Sequence, residues 1–280
     1  MRLAALISGG KDSLYAAYLA KQSGNELAVV VSLISENPDS YMWHVPNARL
    51  AALQAQLMNV PILQVSTKGE KEKELEDLRT ALASLSNADR PFKSGKAKCP
   101  ACNVMFECKP TGDCWCKTEV LRIPPSGDKC LCPNCFMKRV RIEGIVTGAV
   151  ASNYQKSRID GIAGDLGIAS LAPLWQREPV ELLREMINAG FEIIITAVAA
   201  GGLDESWLGR TLDAKAAAEL IVLSKKHRFS PIGEGGEFET LVLDCPLFTK
   251  KIKVLEAQKN WNVSTRSGTF NVKKTELVNK

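Results

Sequence analysis

The chain has 280 residues, 45% of them hydrophobic and 24% charged, with a net charge of +5. That balance excludes wholesale disorder and supplies apolar residues for one large domain or two smaller ones. No apolar run reaches the roughly 18 residues of a membrane span, and the opening lacks the basic stretch and cleavage site of a signal peptide, so a cytoplasmic protein without membrane contact is expected.

The first part alternates strand and helix. RLAALIS (2–8) and LAVVVSLI (27–34) are short, apolar and rich in Val and Ile, as buried strands are. DSLYAAYLAKQSG between them predicts a helix stopped at Gly24, and NARLAALQAQLMNV (47–60) a second helix stopped before Pro61. PILQVST (61–67) predicts a third strand. EKEKELEDLRTALASL (70–85) predicts a charged helix with Leu75, Leu78, Leu82 and Leu85 on one stripe. A cysteine-rich stretch interrupts, and the pattern resumes with strand EGIVTGAV (143–150), helix QKSRIDGIAGDLG and strand ASLAPLW (169–175). Strands alternating with helices imply a parallel sheet with right-handed crossovers, whose ligands sit beyond the carboxyl ends of the strands. From about residue 176 the texture becomes α+β: helices at 179–190 and 213–228, a strand at 192–200 and further β-like stretches. The expected division is a first domain over 1–175, interrupted by an insert over 93–138, and a smaller domain over 176–280.

SGGKDS (8–13) leaves the first strand and enters the first helix. The glycine pair allows a sharp turn and close approach to a ligand, and the helix start offers N–H groups and its positive dipole end. Lys11 adds a positive charge, Ser8 and Ser13 add hydroxyls, and Asp12 can hold Mg²⁺ or cap the helix. The loop reads as an anion cradle, although an ordinary capped strand-to-helix turn would use the same residue types. It is not a Walker loop, because Asp12 stands where that pattern needs Ser or Thr.

Eight of the nine cysteines lie between Cys99 and Cys135, and Cys245 stands alone in an apolar stretch as a buried small residue. Their spacing, C-x2-C-x5-C-x5-C-x-C-x13-C-x-C-x2-C, nearly mirrors itself. Eight thiolates suit two structural Zn²⁺ ions. The partition expected is Cys99, Cys102, Cys132 and Cys135 on one ion, with Cys108, Cys114, Cys116 and Cys130 on the other. No histidine lies in the segment, which disfavours an open catalytic metal position; disulfides or an iron–sulfur cluster are the alternatives. Residues 90–141 hold 11 Lys and Arg against 4 Asp and Glu, a surplus of 7. Eight thiolates and two Zn²⁺ reduce that surplus to about +3. That mild charge would suit weak contact with RNA, the ribosome or an acidic protein face.

SGGKDS is similar to the PP-loop of ATP pyrophosphatases, which split ATP between its α and β phosphates. SENPDSYMWHVPN (35–47), GIVTGAVASNYQKSRI (144–159), GLDESWLGR (202–210) and GEGGEFETLVLDCPLF (233–248) narrow the resemblance to the diphthine–ammonia ligase family. The resemblance covers nearly the whole chain outside about 90–139. The cysteine stretch departs from the family pattern and resembles small CWC modules. The fold implied is α/β: a parallel-sheet PP-loop domain of the HUP type, like adenine nucleotide alpha hydrolases, with a smaller C-terminal α+β domain and a small cysteine-rich insert.

The activity implied is amidation of the diphthine carboxylate on elongation factor 2, with ATP, Mg²⁺ and ammonium. By resemblance, Ser8, Gly9, Gly10, Lys11, Asp12 and Ser13 hold the pyrophosphate. Gly148, Ser152, Asn153, Gln155 and Arg158 contact nucleotide, and Tyr41 and His44 contact nucleotide or substrate. Lys11, Asp12, Glu234, Glu237 and Glu239 are the catalytic candidates, the glutamates to bind ammonium or Mg²⁺ and take a proton. Asp204, Trp207 and Arg210 would meet the protein substrate, with Trp207 facing the trimethylammonium group. The same residues also have plainer readings: a solvated helix start at 152–158, a polar turn at 233–239, and a packing tryptophan beside a surface ion pair. A tRNA-modifying PP-loop enzyme and a zinc-bearing nucleotide sensor are the competing functions.

Overall fold

The computed structural model describes residues 1–35, 47–86, 95, 97–99, 101–106, 121–122 and 132–280. Strands β1 (Arg2–Leu6), β2 (Glu26–Ser35), β3 (Ile62–Thr67), β7 (Gly144–Val146) and β8 (Ala169–Leu171) form a parallel sheet in the order β3-β2-β1-β7-β8. A two-residue strand, β6 (Leu121–Arg122), adds antiparallel to the β3 edge. Between β3 and β6 lie β4 (Ala97–Lys98) and β5 (Met105–Phe106), which pair with each other.

Side chains alternate across a strand, and this sheet is buried on both faces. Leu3, Ala5 and Ile7 enter one core, while Ala4 and Leu6 enter the other. The second core takes the stripe of α3 (Lys71–Ser86), whose Leu78, Leu82 and Leu85 are fully buried, as the leucine spacing predicts. It also takes Met137 and Val140 of α4 (Pro133–Val140) and Ile159 and Ile162 of α5 (Asn153–Leu166). Helix α4 has no counterpart in the sequence reading, because its cysteines and basic residues mask two turns of apolar spacing. The strand expected over 169–175 is shorter: it ends at Leu171, and turns follow.

The first core contains α1 (Lys11–Gln22) and α2 (Ala51–Leu57), the latter following a short 3₁₀ turn (Ala48–Leu50). Ala16, Ala17 and Ala20 of α1 are buried, since small side chains let both neighbours come close. One neighbour is the parallel sheet. The other is an antiparallel sheet in the order β10-β9-β12-β11, made of β9 (Glu192–Val198), β10 (Phe238–Asp244), β11 (Lys251–Asn262) and β12 (Ser267–Val278). Its inner face carries α6 (Pro179–Asn188) and α7 (Ala214–His227) through Leu182, Leu183, Met186, Ala216, Ala217 and Leu220. One apolar core therefore runs unbroken from β1 to Ile193, Val242 and Ile252.

Tyr15 of α1 donates from its hydroxyl to Glu185 of α6 at 2.9 Å. Burial, then the Glu185 carboxylate, push the phenol up to about 12. The fold therefore prefers protonated Tyr15. Its contribution is complete below the unfolded value of about 10 and is lost as pH rises through about 12. Tyr15→Phe is expected to flatten the alkaline limb of a thermal-stability profile in that window, measured by circular dichroism.

Candidate active site

In the parallel sheet the chain leaves β1 toward β2 and β3 on one side, and β7 toward β8 on the other. The β1/β7 boundary is the switch point, where a crevice opens beyond the strand ends. The Ser8–Ser13 loop follows β1 and the 147–152 loop follows β7, so the two lie side by side. Gly148 shows how tightly they meet. A Cβ built there would fall 2.6 Å from the Asp12 carbonyl carbon and 2.6 Å from the Ser13 nitrogen.

Within the first loop, Ser13 Oγ donates to the Gly10 carbonyl at 3.0 Å, and the Ser8 and Ser13 hydroxyls approach to 3.4 Å. Gly9 has φ +97, open only to glycine. Lys11 is 2% exposed. Its ammonium donates to Asp12 Oδ2 at 2.8 Å and to the Ile232 carbonyl at 2.6 Å, and lies 5.5 Å from the centre of the Phe238 ring. Two of its three donors are thus engaged inside the protein. Asp12 Oδ1 is buried and has no hydrogen-bond partner.

Strand β10 lies beneath the loop. Thr240 Oγ1 accepts from Lys11 N–H at 3.2 Å, and Val242 N–H donates to the Gly9 carbonyl at 3.1 Å. From the segment just before β10, Glu234 reaches the second loop and accepts from Val150 N–H at 2.9 Å and Ala151 N–H at 3.0 Å. Burial pushes the Glu234 carboxyl above the usual range; those two N–H bonds and Lys11 oppose the rise, and Asp12 adds to it. Three segments distant in sequence thus converge on two carboxylates and a buried ammonium. Thr240, Ile232 and Phe238 escaped the sequence reading, because a backbone carbonyl and a ring under a lysine leave no motif.

The other candidates divide. Ser152 caps α5, accepting from Gln155 N–H at 3.3 Å, and Asn153 is the first residue of that helix. Arg158 turns outward, to Glu72 of α3 at 3.3 Å and over the Tyr154 ring. Glu237 accepts from Ser230 N–H at 2.8 Å and Gly235 N–H at 2.7 Å, holding its own turn closed. Glu239 is half-buried in β10, opposite Ala197 of β9. Asp204 caps a 3₁₀ turn (Glu205–Trp207) through Ser206 N–H. Trp207 is 4% exposed, with the Arg210 guanidinium 4.3 Å from its ring centre and Arg210 paired to Glu219 at 2.7 Å. Tyr41 and His44 lie outside the described residues. Cys245 is 1% exposed, and burial pushes its thiol up to about 12, which leaves it unreactive.

A separate centre stands in the cysteine stretch. The Sγ atoms of Cys99, Cys102, Cys132 and Cys135 all lie within 4.8 Å of one another. Tetrahedral zinc–thiolate bonds of about 2.3 Å imply S–S edges of about 3.8 Å. Cys102 Sγ and Cys132 Sγ are 3.7 Å apart, so the donor set fits the ion. Cys99 and Cys102 sit on the β4–β5 turn, where Asn103 (φ 59) donates its N–H to the Cys99 carbonyl at 2.9 Å. Cys132 precedes α4 and Cys135 lies in its first turn. Cys108, Cys114, Cys116 and Cys130 lie outside the described residues. Cys135→Ser is expected to lose one equivalent of metal by elemental analysis. It should also lower the thermal midpoint, since α4 carries core residues beyond the thiols.

Two family models match: the diphthamide synthase N-terminal domain over residues 1–96 and the diphthamide synthase C-terminal domain over 178–278. The human diphthine–ammonia ligase is 34% identical over 262 residues, covering 91% of this chain and 83% of the relative. The chain belongs to the diphthamide synthase family. A diphthine–ammonia ligase of Schizosaccharomyces pombe is 30% identical over 262 residues, 92% of this chain but only 37% of that longer protein. Among solved structures, a predicted subunit of tRNA methyltransferase from Methanocaldococcus jannaschii covers 88% of this chain and 98% of its own, at 14% identity and a TM-score of 0.36, too loose to bear on function. The 8–13 loop falls in the first family match and Glu234 and β10 in the second, while the four-thiol centre lies between the two, apart from their matched spans. No helix among the described residues is long and apolar enough to cross a membrane.

Proposed function

We propose that this chain is an AMP-forming ligase that turns the diphthine carboxylate of elongation factor 2 into its amide, in the cytoplasm, with ATP and ammonium. A carboxylate resists ammonia because oxide is a poor leaving group. Attack of a carboxylate oxygen on the α-phosphorus breaks the α–β bond, forms the acyl-adenylate and releases pyrophosphate. Ammonia then attacks the acyl carbon, AMP departs with the bonding pair, and the nitrogen loses a proton.

The observation that carries this reading is the convergence at the switch point of the 8–13 loop, Gly148 and Glu234, on a chain 34% identical to a diphthine–ammonia ligase. Ser8, Gly9, Gly10 and Ser13 would hold pyrophosphate with backbone N–H groups and hydroxyls, and Lys11 would add its charge from below. Asp12, with its unpartnered oxygen, and Glu234 would hold Mg²⁺, which would neutralise charge on the departing phosphates. Gly148, Ser152, Asn153, Gln155 and Arg158, with Tyr41 and His44, would flank the nucleotide. Glu237 and Glu239 would serve the ammonium side, and Asp204, Trp207 and Arg210 the protein acceptor. In this reading residues 1–175 carry the nucleotide and 176–280 the acceptor. The insert over 93–138 holds structural zinc, one ion on the four thiols described and a second on Cys108, Cys114, Cys116 and Cys130.

Purified elongation factor 2 carrying diphthine, incubated with the protein, ATP and ammonium, is expected to show by mass analysis the exchange of one hydroxyl for an amino group. AMP and pyrophosphate should appear in equal amounts. ADP in place of AMP, or turnover indifferent to ammonium, overturns the proposal.

A further inference from the structure

Gln54 of α2 is 0% exposed and belongs to none of the motifs above. Its Nε2 donates to the Gly9 carbonyl at 3.1 Å and to the Val242 carbonyl at 2.9 Å. Two carbonyl acceptors require the NH₂ end of the amide there, which leaves the buried Oε1 without a partner. The Gly9 carbonyl also accepts from Val242 N–H at 3.1 Å. It is therefore held by two donors, one from α2 and one from β10.

That matters because of the peptide that follows. All peptide bonds described are trans. In a trans peptide the carbonyl of one residue and the N–H of the next point in opposite directions. Holding the Gly9 oxygen inward turns the Gly10 N–H outward, toward Ser8 Oγ at 3.5 Å, where the Ser8 and Ser13 hydroxyls meet. That distance is long for a hydrogen bond, so the donor remains open to a stronger acceptor. A glycine–glycine peptide has no side chain to resist rotation, so its orientation must be imposed from outside. If it turned over, a carbonyl would face the anion in place of a donor.

We propose that Gln54 is a positioning residue for phosphate binding, holding the Gly9–Gly10 peptide with its carbonyl in the core and its N–H at the pyrophosphate site. The proposal rests on reading residues 8–13 as the pyrophosphate cradle. Gln54→Met keeps the length and bulk of the side chain and removes the donor. Inorganic pyrophosphate with Mg²⁺ is expected to bind this variant about tenfold more weakly by calorimetry, the loss of one donor to a charged acceptor. Adenosine affinity should stay at the wild-type value, a split that a general loosening of the fold would not produce. Pyrophosphate affinity equal to wild type in the folded variant overturns the proposal. If the variant does not fold, the wild-type protein decides by ¹⁵N spectroscopy. Pyrophosphate must move the Gly10 amide proton downfield, and a Gly10 amide indifferent to bound pyrophosphate overturns the proposal as well. Wild-type protein that binds no pyrophosphate at all overturns the cradle itself and Gln54's role with it.

Discussion

Gly148→Ala is expected to fold and to lose about two orders of magnitude in AMP formation. Gly148 has no left-handed backbone to defend; the restriction is space alone. The added methyl carbon would fall 2.6 Å from backbone atoms of Asp12 and Ser13, closer than real Cβ atoms approach anything. Backbone of a first helical turn cannot rotate aside as a side chain can. Either the 147–152 loop lifts away, taking the Val150 and Ala151 N–H groups from Glu234, or α1 shifts and the 8–13 loop with it. Overpacking of this kind costs about 1–3 kcal/mol, which a core of this size survives, but a displacement of about 1 Å at reacting groups is severe. Gly161→Ala provides the control. It lies in α5 with nothing within 4 Å of its added carbon, and should gain up to about 1 kcal/mol with activity kept. Full activity in Gly148→Ala would show that the two loops do not share a site.

Lys11→Met is expected to reduce AMP and pyrophosphate release by about 10²–10³-fold, the usual effect of removing one fixed stabiliser of developing phosphate charge. The structure adds a second effect. Without the ammonium, the Ile232 carbonyl loses its donor and Asp12 its cation. Asp12 keeps 29% of its side chain in solvent, so the stability loss should stay below the roughly 3–5 kcal/mol of breaking a fully buried pair. Denaturant unfolding measures that part, and single-turnover kinetics on the folded fraction measures the other. Wild-type turnover with reduced stability would make Lys11 a strut between the two sheets and nothing more.

Much of this architecture is legible in the sequence because period and punctuation agree. The Val-rich run at 27–34 becomes β2, and Gly24 follows the end of α1. Leu75, Leu78, Leu82 and Leu85 bury together. The outer cysteine pairs meet as their mirror spacing suggests. What is not legible depends on contacts between distant segments. Nothing local in GEGGEFET says that Glu234 caps the backbone of residues 150 and 151, or that Thr240 lies under Lys11 N–H. Nor does anything local say that each Glu237 oxygen accepts one N–H, from Ser230 and from Gly235. Gln54 is invisible among the apolar residues of its helix, since its role comes from a strand 188 positions away. The sequence does not show that Arg210 pairs with Glu219, because that partner belongs to another helix.

Helix α4 serves two structures at once. Cys132 and Cys135 at its start belong to the thiol centre, Met137 and Val140 close the wall of the first sheet, and Arg2 of β1 donates to the carbonyls of Lys138 and Arg139 at its end. Eight residues cannot hold a helix by themselves in water. With the zinc proposed for those four sulfurs, a cell starved of the ion would be expected to accumulate polypeptide with an open seam beside β1.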